Sequence, residues 1–211
     1  MKSRKLTLCA ALTAALACAC AAAAAPEPDP HAQHRAMAAA AAAATAEPAQ
    51  SRIDVTAKSL RLVRADGAAA DLAADLAAET RPVLLNFVFT TCTAICPVMS
   101  HVFSQVQTGL GADAARVRLV SISIDPEHDT PERLKAYAAS YGAGPQWSFY
   151  TGTAQGSIAA QRAFGAYRGD RMNHEARSYL RAVRGKSWTR IDGLATPEAL
   201  VAQLRTALAA P

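Results

Sequence analysis

The sequence predicts an α/β sandwich, in which a central mixed sheet is flanked by helices. Apolar runs of strand length alternate with segments of helical pattern along most of the chain. The length of 211 residues, with 51% of them hydrophobic, suits one domain with a buried core plus extensions. Because such a core needs no covalent support, a disulfide scaffold is not required.

The first predicted elements lie between residues 81 and 142. The segments 81–90 and 116–125 have the length and composition of buried strands. The segment 129–142 predicts a helix, because Pro131 stands in its first turn and Gly142 at its end. Either Asp129 or the threonine after it is expected to cap this helix.

The later segments continue the same alternation. A short strand is predicted over 147–152 and a helix over 154–164. Two further strands follow in "ARSYLRAV" and "KSWTRI", and "ATPEALVAQLRTAL" predicts a closing helix. Strands that alternate with helices and end in a hairpin and a helix indicate a thioredoxin-like sandwich.

The first 50 residues differ in composition from the rest of the chain. Residues 1–25 join a basic start to an uncharged apolar run, which is typical of a signal peptide or an anchor. Cys18 and Cys20 also stand where a lipoprotein cysteine would be, so cleavage, lipidation and anchoring all remain open. Residues 26–50 are rich in Ala and Pro and predict a mobile tether. The folded domain is expected over 51–211.

The charge and the cysteine count narrow the class of partner. The formal net charge is +5, and three of the positive charges lie within the first five residues. The charge therefore gives no reason to expect a nucleic-acid partner. An exported domain would retain only Cys92 and Cys96, and two thiols so close together in an oxidising compartment form either a disulfide or a metal site.

The two cysteines stand in "FTTCTAICPVMS", between a predicted buried strand and a predicted helix. Open α/β sheets place their sites at such strand ends. Pro97 is expected to begin the helix, so that Cys92 to Cys96 forms a loop. The positive end of the helix is expected to favour the Cys96 thiolate, which is the form that attacks disulfides and binds metals.

A two-thiolate site needs a third ligand, and His174 is the best placed of the histidines. It lies in a loop just before a predicted strand, and an imidazole beside two thiolates makes a soft site suited to copper. Asp125 ends the strand next to the cysteine strand, and a turn with Pro126 explains it locally. Asp129 is explained by helix capping, and Met99 by packing in the core.

Three stretches resemble the Sco/SenC family of copper chaperones, which take part in cytochrome c oxidase assembly. They are "NFVFTTCTAICPVMS", "SISIDPEHDTPERLKAYAASYG" and "NHEARSYL", and the resemblance covers roughly residues 55–208. It implies that Cys92, Cys96 and His174 bind one copper ion, Cu(I) or Cu(II), in a thioredoxin-like domain. It also implies a domain that is tethered to the membrane and faces the periplasm, and it suggests Asp125 as a candidate for an indirect role near the metal. The expected partner is a copper-containing oxidase subunit or another copper/thiol protein.

Two other functions remain open from the sequence. A thiol-disulfide oxidoreductase acting on the cysteines of a copper-site partner fits the fold and a reversible Cys92–Cys96 disulfide. Against it, no proline stands between Pro145 and Pro197, where thioredoxins place a cis-proline, and His174 lies near that position instead. A purely structural disulfide is the third alternative. The sequence thus favours a metallochaperone over an enzyme.

Overall fold

The structure is a computed structural model that describes residues 48–182 and 187–209. In chain order, the elements of the described residues are β1 (Ala49–Asp54), β2 (Arg61–Arg64), β3 (Ala69–Asp71), α1 (Leu72–Ala78), β4 (Val83–Val88), α2 (Ile95–Leu110), β5 (Arg118–Ser123), α3 (Pro131–Ser140), β6 (Trp147–Thr151), α4 (Ala154–Ala163), β7 (Arg177–Arg181), β8 (Ser187–Asp192) and α5 (Pro197–Ala209). Short 3-10 helices, Gly111–Arg116 and Arg171–Asn173, precede β5 and β7.

All of these strands belong to one mixed sheet with the order β1-β8-β7-β4-β5-β6-β2-β3. Strands β4, β5 and β6 run parallel, and the other pairs are antiparallel. Asn86 of β4 pairs with Ser178 of β7, Arg177 pairs with Asp192 of β8, and Asp192 pairs with Ala49. The carboxyl end of β4, the amino end of β7 and the first residue of β1 therefore lie on the same side of the sheet, where these strands end or begin.

Strand β4 lies at the centre of the fold and is buried along its whole length. Leu85 and Phe87 pack into a cluster that includes residues of α1 and α4. Leu84, on the opposite face, packs into a second cluster with residues of α2, α3 and α5. Burial of both faces explains why this strand is apolar at every position except Asn86.

Helix α3 begins and ends where its sequence predicts. Thr130 is the N-cap, and its side chain accepts a hydrogen bond from the backbone N–H of Arg133 at 3.3 Å. Pro131 is the first helical residue, where a missing N–H costs nothing. Gly142 follows the last turn with a φ of 63°, a conformation that residues with a Cβ adopt only with strain.

The predicted α/β sandwich with a central mixed sheet is confirmed. Each of β4 to β8 and α3 to α5 overlaps a segment that the sequence predicts, and β7 and β8 form the expected antiparallel pair. Strands β1 to β3 and helix α1 were not predicted. Strand β1 begins at Ala49, just before the expected start of the domain at residue 51.

The predicted signal or anchor, residues 1–25, lies outside the described residues, as does the tether up to residue 47. Within 48–182 and 187–209, no helix has the length and apolar character needed to cross a membrane.

Candidate metal centre

The two cysteines follow the carboxyl end of β4, but they occupy different kinds of backbone. Cys92 lies in the loop after the strand, whereas Cys96 lies in the first turn of α2, which begins at Ile95. The prediction that the helix starts at Pro97 was therefore wrong. Proline is tolerated here because backbone N–H groups in the first turn have no partner within the helix.

The two thiols differ in their exposure to solvent. Both cysteines are free, and Cys96 has no exposed surface, while Cys92 is half-buried. Cys96 packs with Val88 and Phe89 at the end of the central strand. The backbone N–H of Cys96 donates a hydrogen bond to Cys92 Sγ at 3.4 Å. One thiol can thus meet solvent and the other cannot.

This arrangement shifts the two thiol pKa values in opposite directions. Burial raises the pKa of the Cys96 thiol well above its usual range, and the Asp129 carboxylate adds to the shift. Burial also opposes ionisation of Cys92, but N–H groups of the first helical turn and the Cys96 side chain outweigh it and lower the pKa of the Cys92 thiol. The prediction that the helix terminus activates Cys96 was wrong, since its donors serve Cys92.

His174 follows the short Arg171–Asn173 helix and precedes β7. Its Nε2 lies 3.0 Å from the backbone oxygen of Phe87. A carbonyl oxygen only accepts, so Nε2 carries the proton and Nδ1 is left with its lone pair. Burial lowers the pKa of His174, which keeps the imidazole neutral.

Phe89 connects the histidine with the buried cysteine. Its ring lies edge-on to the ring of His174, with the centroids 6.5 Å apart, and it packs in the same cluster as Cys96. Within the described ranges, no group of three or more His, Cys, Asp or Glu side chains is arranged to hold a metal ion. The assignment of Cys92, Cys96 and His174 as a common ligand set therefore stays a prediction.

Asp129 holds the loop that carries the cysteines. It is fully buried, and its carboxylate accepts hydrogen bonds from the backbone N–H of Thr90 at 3.2 Å and from the Thr90 hydroxyl at 2.5 Å. It also accepts one from the hydroxyl of Ser123 at 2.6 Å. The prediction that Asp129 only caps α3 was wrong, because Thr130 fills that role.

Asp125 faces the turn that carries the histidine. Its side chain is 3% exposed, and Oδ2 lies 3.4 Å from Arg171 Nε. Its Oδ1 lies 3.2 Å from Nδ1 of His128, an exposed side chain. These partners are charged or titratable groups and not the cysteines. An indirect role for Asp125 at the metal thus remains a prediction, with Arg171 as the group through which it would act.

A family model described as SCO1/SenC matches residues 49–209. The chain belongs to the SCO1/SenC family. The SCO1 protein homolog of Bacillus subtilis is 37% identical over 111 residues, which cover 49% of this chain and 58% of that protein. The match thus spans little more than half of that relative's length.

Solved structures show that the SCO1/SenC domain is thioredoxin-like. The copper-bound structure of Bradyrhizobium japonicum ScoI has a TM-score of 0.59 and 27% identity, covering 70% of this chain and 96% of that one. BsSco, described as a member of the Sco family of cytochrome c oxidase assembly proteins with a disulfide switch, has a TM-score of 0.61 and 27% identity, covering 74% of this chain and 95% of that one.

A cavity of about 470 Å³ adjoins the candidate centre of this SCO1/SenC domain. It lies between the end of β5 and the histidine turn, and Ile124, Asp125 and Arg171 contribute to its lining. Ile124 also packs against the cluster of Val88, Phe89 and Cys96. Met99, by contrast, is 3% exposed and belongs to the core, as predicted.

Two positioning contacts of this SCO1/SenC domain were missed from the sequence. They are the Asp129–Thr90 hydrogen bonds and the Arg171–Asp125 ion pair. The spacing of Asp125 and Asp129 was the available signal, since carboxylates four residues apart at the end of a buried strand exceed what a single helix cap needs.

Proposed function

We propose that this SCO1/SenC domain is a copper metallochaperone. In this proposal Cys92, Cys96 and His174 bind one copper ion. The observation that carries it is the pair of free thiols after the end of β4, together with a neutral imidazole that keeps one ring nitrogen for a ligand and whose ring meets Phe89, a packing neighbour of Cys96. Two thiolates and an imidazole suit Cu(I), and the nitrogen ligand adds affinity for Cu(II).

The donor set fits copper better than the harder divalent cations. Mg²⁺ and Ca²⁺ select oxygen ligands, whereas thiolates select soft ions. Binding requires ionisation of both thiols, and Cys96 is the harder of the two to ionise because it is buried. Uptake of the ion would therefore release the Cys96 proton at a pH where the free thiol keeps it.

The proposed client is a copper-containing subunit of a membrane oxidase of the cytochrome c oxidase type, which the domain would load with copper or prepare for loading. The description of BsSco as an oxidase assembly protein supports this client. The domain would act in the periplasm, exported by residues 1–25 and held at the membrane by them or by a lipid. Residues 26–47 would serve as its tether.

Thiol-disulfide exchange is the second candidate. The difference between the two thiols in exposure and in pKa favours it. In that reaction the Cys92 thiolate attacks a partner disulfide and releases one partner thiolate. Cys96 then displaces the second partner sulfur as it closes the Cys92–Cys96 bond. The partner gains two electrons and two protons in total, and this domain loses them. The disulfide switch described for BsSco supports a reversible bond between the cysteines.

Copper titration of the reduced protein tests the first proposal. We expect one equivalent to bind, with a sulfur-to-copper charge-transfer band for Cu(II). Cys92→Ser and Cys96→Ser should each abolish tight binding, while Met99→Leu, which changes a nearby core side chain, should leave it intact. Tight binding that survives both cysteine substitutions would overturn the assignment.

A further inference from the structure

We infer that Asp125 and Asp129 are positioning residues that divide the centre between them: Asp129 holds the cysteine loop, and Asp125, through Arg171, holds the histidine turn. The inference rests on the proposed function, because the two loops form one centre only if they bind copper. The way in which each aspartate holds its loop can be tested without copper. Neither aspartate is assigned as a metal ligand.

The short Arg171–Asn173 helix of the histidine turn has few ties to the rest of the domain, whereas His174 itself is held by the bond from its Nε2 to the Phe87 oxygen. Asp170 accepts a hydrogen bond from the backbone N–H of Met172 at 2.8 Å, and the N–H of His174 donates to the Arg171 oxygen at 3.1 Å. These bonds fix only the internal shape of the turn. In the part of the chain that the structure describes, the Arg171–Asp125 pair is the one hydrogen bond or ion pair that joins Arg171–Asn173 to another element.

Asp125 is suited to fix a flexible partner. Its carboxylate is 3% exposed, so it cannot turn towards water, whereas 42% of the Arg171 side chain is exposed. The backbone of Asp125 is also held, because its N–H donates to Ser123 Oγ at 3.0 Å and its oxygen accepts from the N–H of Asp129 at 2.9 Å. The pair therefore ties an exposed turn to a buried point that its backbone hydrogen bonds hold in place.

The cysteine loop is tied to the same point from the other side. Ser123 donates to Asp129 and accepts from the N–H of Asp125, so both aspartates share one hydroxyl. Asp129 in turn accepts hydrogen bonds from the backbone N–H and the hydroxyl of Thr90, which precedes Cys92 in the loop. The segment 123–129 thus anchors both halves of the proposed ligand set.

Because each aspartate holds a different loop, their loss should have separable effects on the affinities for Cu(II) and Cu(I). Loss of Asp125 or Arg171 should loosen only the imidazole, and Cu(II) depends on it more than Cu(I) does. We expect Asp125→Asn and Arg171→Leu each to lower Cu(II) affinity about tenfold, the scale typical of outer-shell partners, and to change Cu(I) affinity by less than about threefold. Arg171→Lys should restore part of the loss, since lysine keeps the charge without the fork of guanidinium donors.

Amide hydrogen exchange of the copper-free protein gives the decisive readout. Asp125→Asn should raise exchange at residues 171–174 about tenfold and leave residues 90–94 unchanged, while Thr90→Val should do the reverse. Thr90→Val is preferred to Asp129→Asn because it keeps the buried carboxylate. Glu127→Gln is the matched control, as this exposed carboxylate lies between the aspartates and makes no hydrogen bond or ion pair among the described residues.

The results separate this inference from the proposed function. If Asp125→Asn and Arg171→Leu match Glu127→Gln in exchange and in Cu(II) affinity, the positioning role of Asp125 is wrong even though the domain binds copper. If either variant loosens both loops equally, the division is wrong. If the exchange pattern is as expected and the wild type binds no copper, the two anchors stand and the proposed function fails.

Discussion

The inequality of the two thiols predicts a large difference in their reaction with an alkylating reagent. Treatment of the reduced, copper-free protein with iodoacetamide at pH 7.5 should modify Cys92 first. Two effects act in the same direction: Cys96 has no exposed surface, and burial raises its pKa, whereas the pKa of Cys92 is lowered. Only thiolate reacts, so the thiol with the lower pKa is favoured.

The magnitude follows from the thiolate fractions. An unperturbed thiol with a pKa of about 8.5 is roughly 10% ionised at pH 7.5, and each unit added to the pKa lowers that fraction about tenfold. The upward shift at Cys96, together with the lack of a path for the reagent, should make Cys96 react at least about 100 times more slowly than Cys92. The rate at Cys96 would then follow local opening of the fold.

Mass spectrometry over time, with fragmentation of the peptide that carries both cysteines, measures both rates in one sample. The same protein in denaturant is the first control, because the two thiols should then react at similar rates. Cys92→Ser is the second, as it shows whether Cys96 becomes reactive once its neighbour is absent. Equal rates in the folded protein would refute the assignment of Cys92 as the accessible thiolate.

Further predictions concern the metal, the histidine and the core. Oxidation of the protein to the Cys92–Cys96 disulfide should remove copper binding, and a reductant should restore it, because the same sulfur lone pairs cannot serve both bonds; uptake of one copper by the verified disulfide form would contradict this. His174→Ala should weaken Cu(II) more than Cu(I), as competition with calibrated chelators would measure, and equal losses would count against His174 as a ligand. Burial lowers the pKa of His174, so the folded state binds a proton at the imidazole less readily than the unfolded state does. The free energy of unfolding, measured in urea, should therefore decrease as the pH falls below about 6.5. This decrease should be smaller in His174→Gln. Leu84→Ala should lower the free energy of unfolding by about 2–5 kcal/mol, since Leu84 is fully buried in the central strand, while the exposed Val98→Ala should change it by less than about 0.5 kcal/mol.

The sequence predicted those elements whose patterns are set by burial on the central sheet. Strand β4 is apolar at every position but Asn86 because both of its faces are covered, so its composition alone marks it. Strands β2 and β3 are short, and β3 and α1 are rich in alanine, which fits helix, strand or tether equally well. Strand β2 forms through pairing with β6 and β3 through pairing with β2, while α1 packs on the core, and no local pattern records these contacts.

The candidate site could be predicted in its residue types but not in its electrostatics. The motif placed Cys92 and Cys96 correctly at the end of β4, since strand, loop and helix follow from local signals. Which thiol is buried depended on where α2 begins, and Pro97 fits equally well as the first residue or inside the first turn. The role of Asp129 depended on Thr90, 39 positions away.

The pairing of β1 with β8 has a consequence for how the domain is held. Ala49 lies opposite Asp192, and Asp192 lies opposite Arg177 at the start of the strand that His174 precedes. The chain therefore enters the sheet at Ala49, on the side where the strand ends carry the thiols and the imidazole. It joins three strands away from β4, a distance of about 15 Å at the usual spacing of about 4.8 Å. In the proposed tethered form, attachment on this side of the sheet would keep the cysteines and the histidine near the membrane, and it would shorten the path along which a bound ion travels to a partner embedded there.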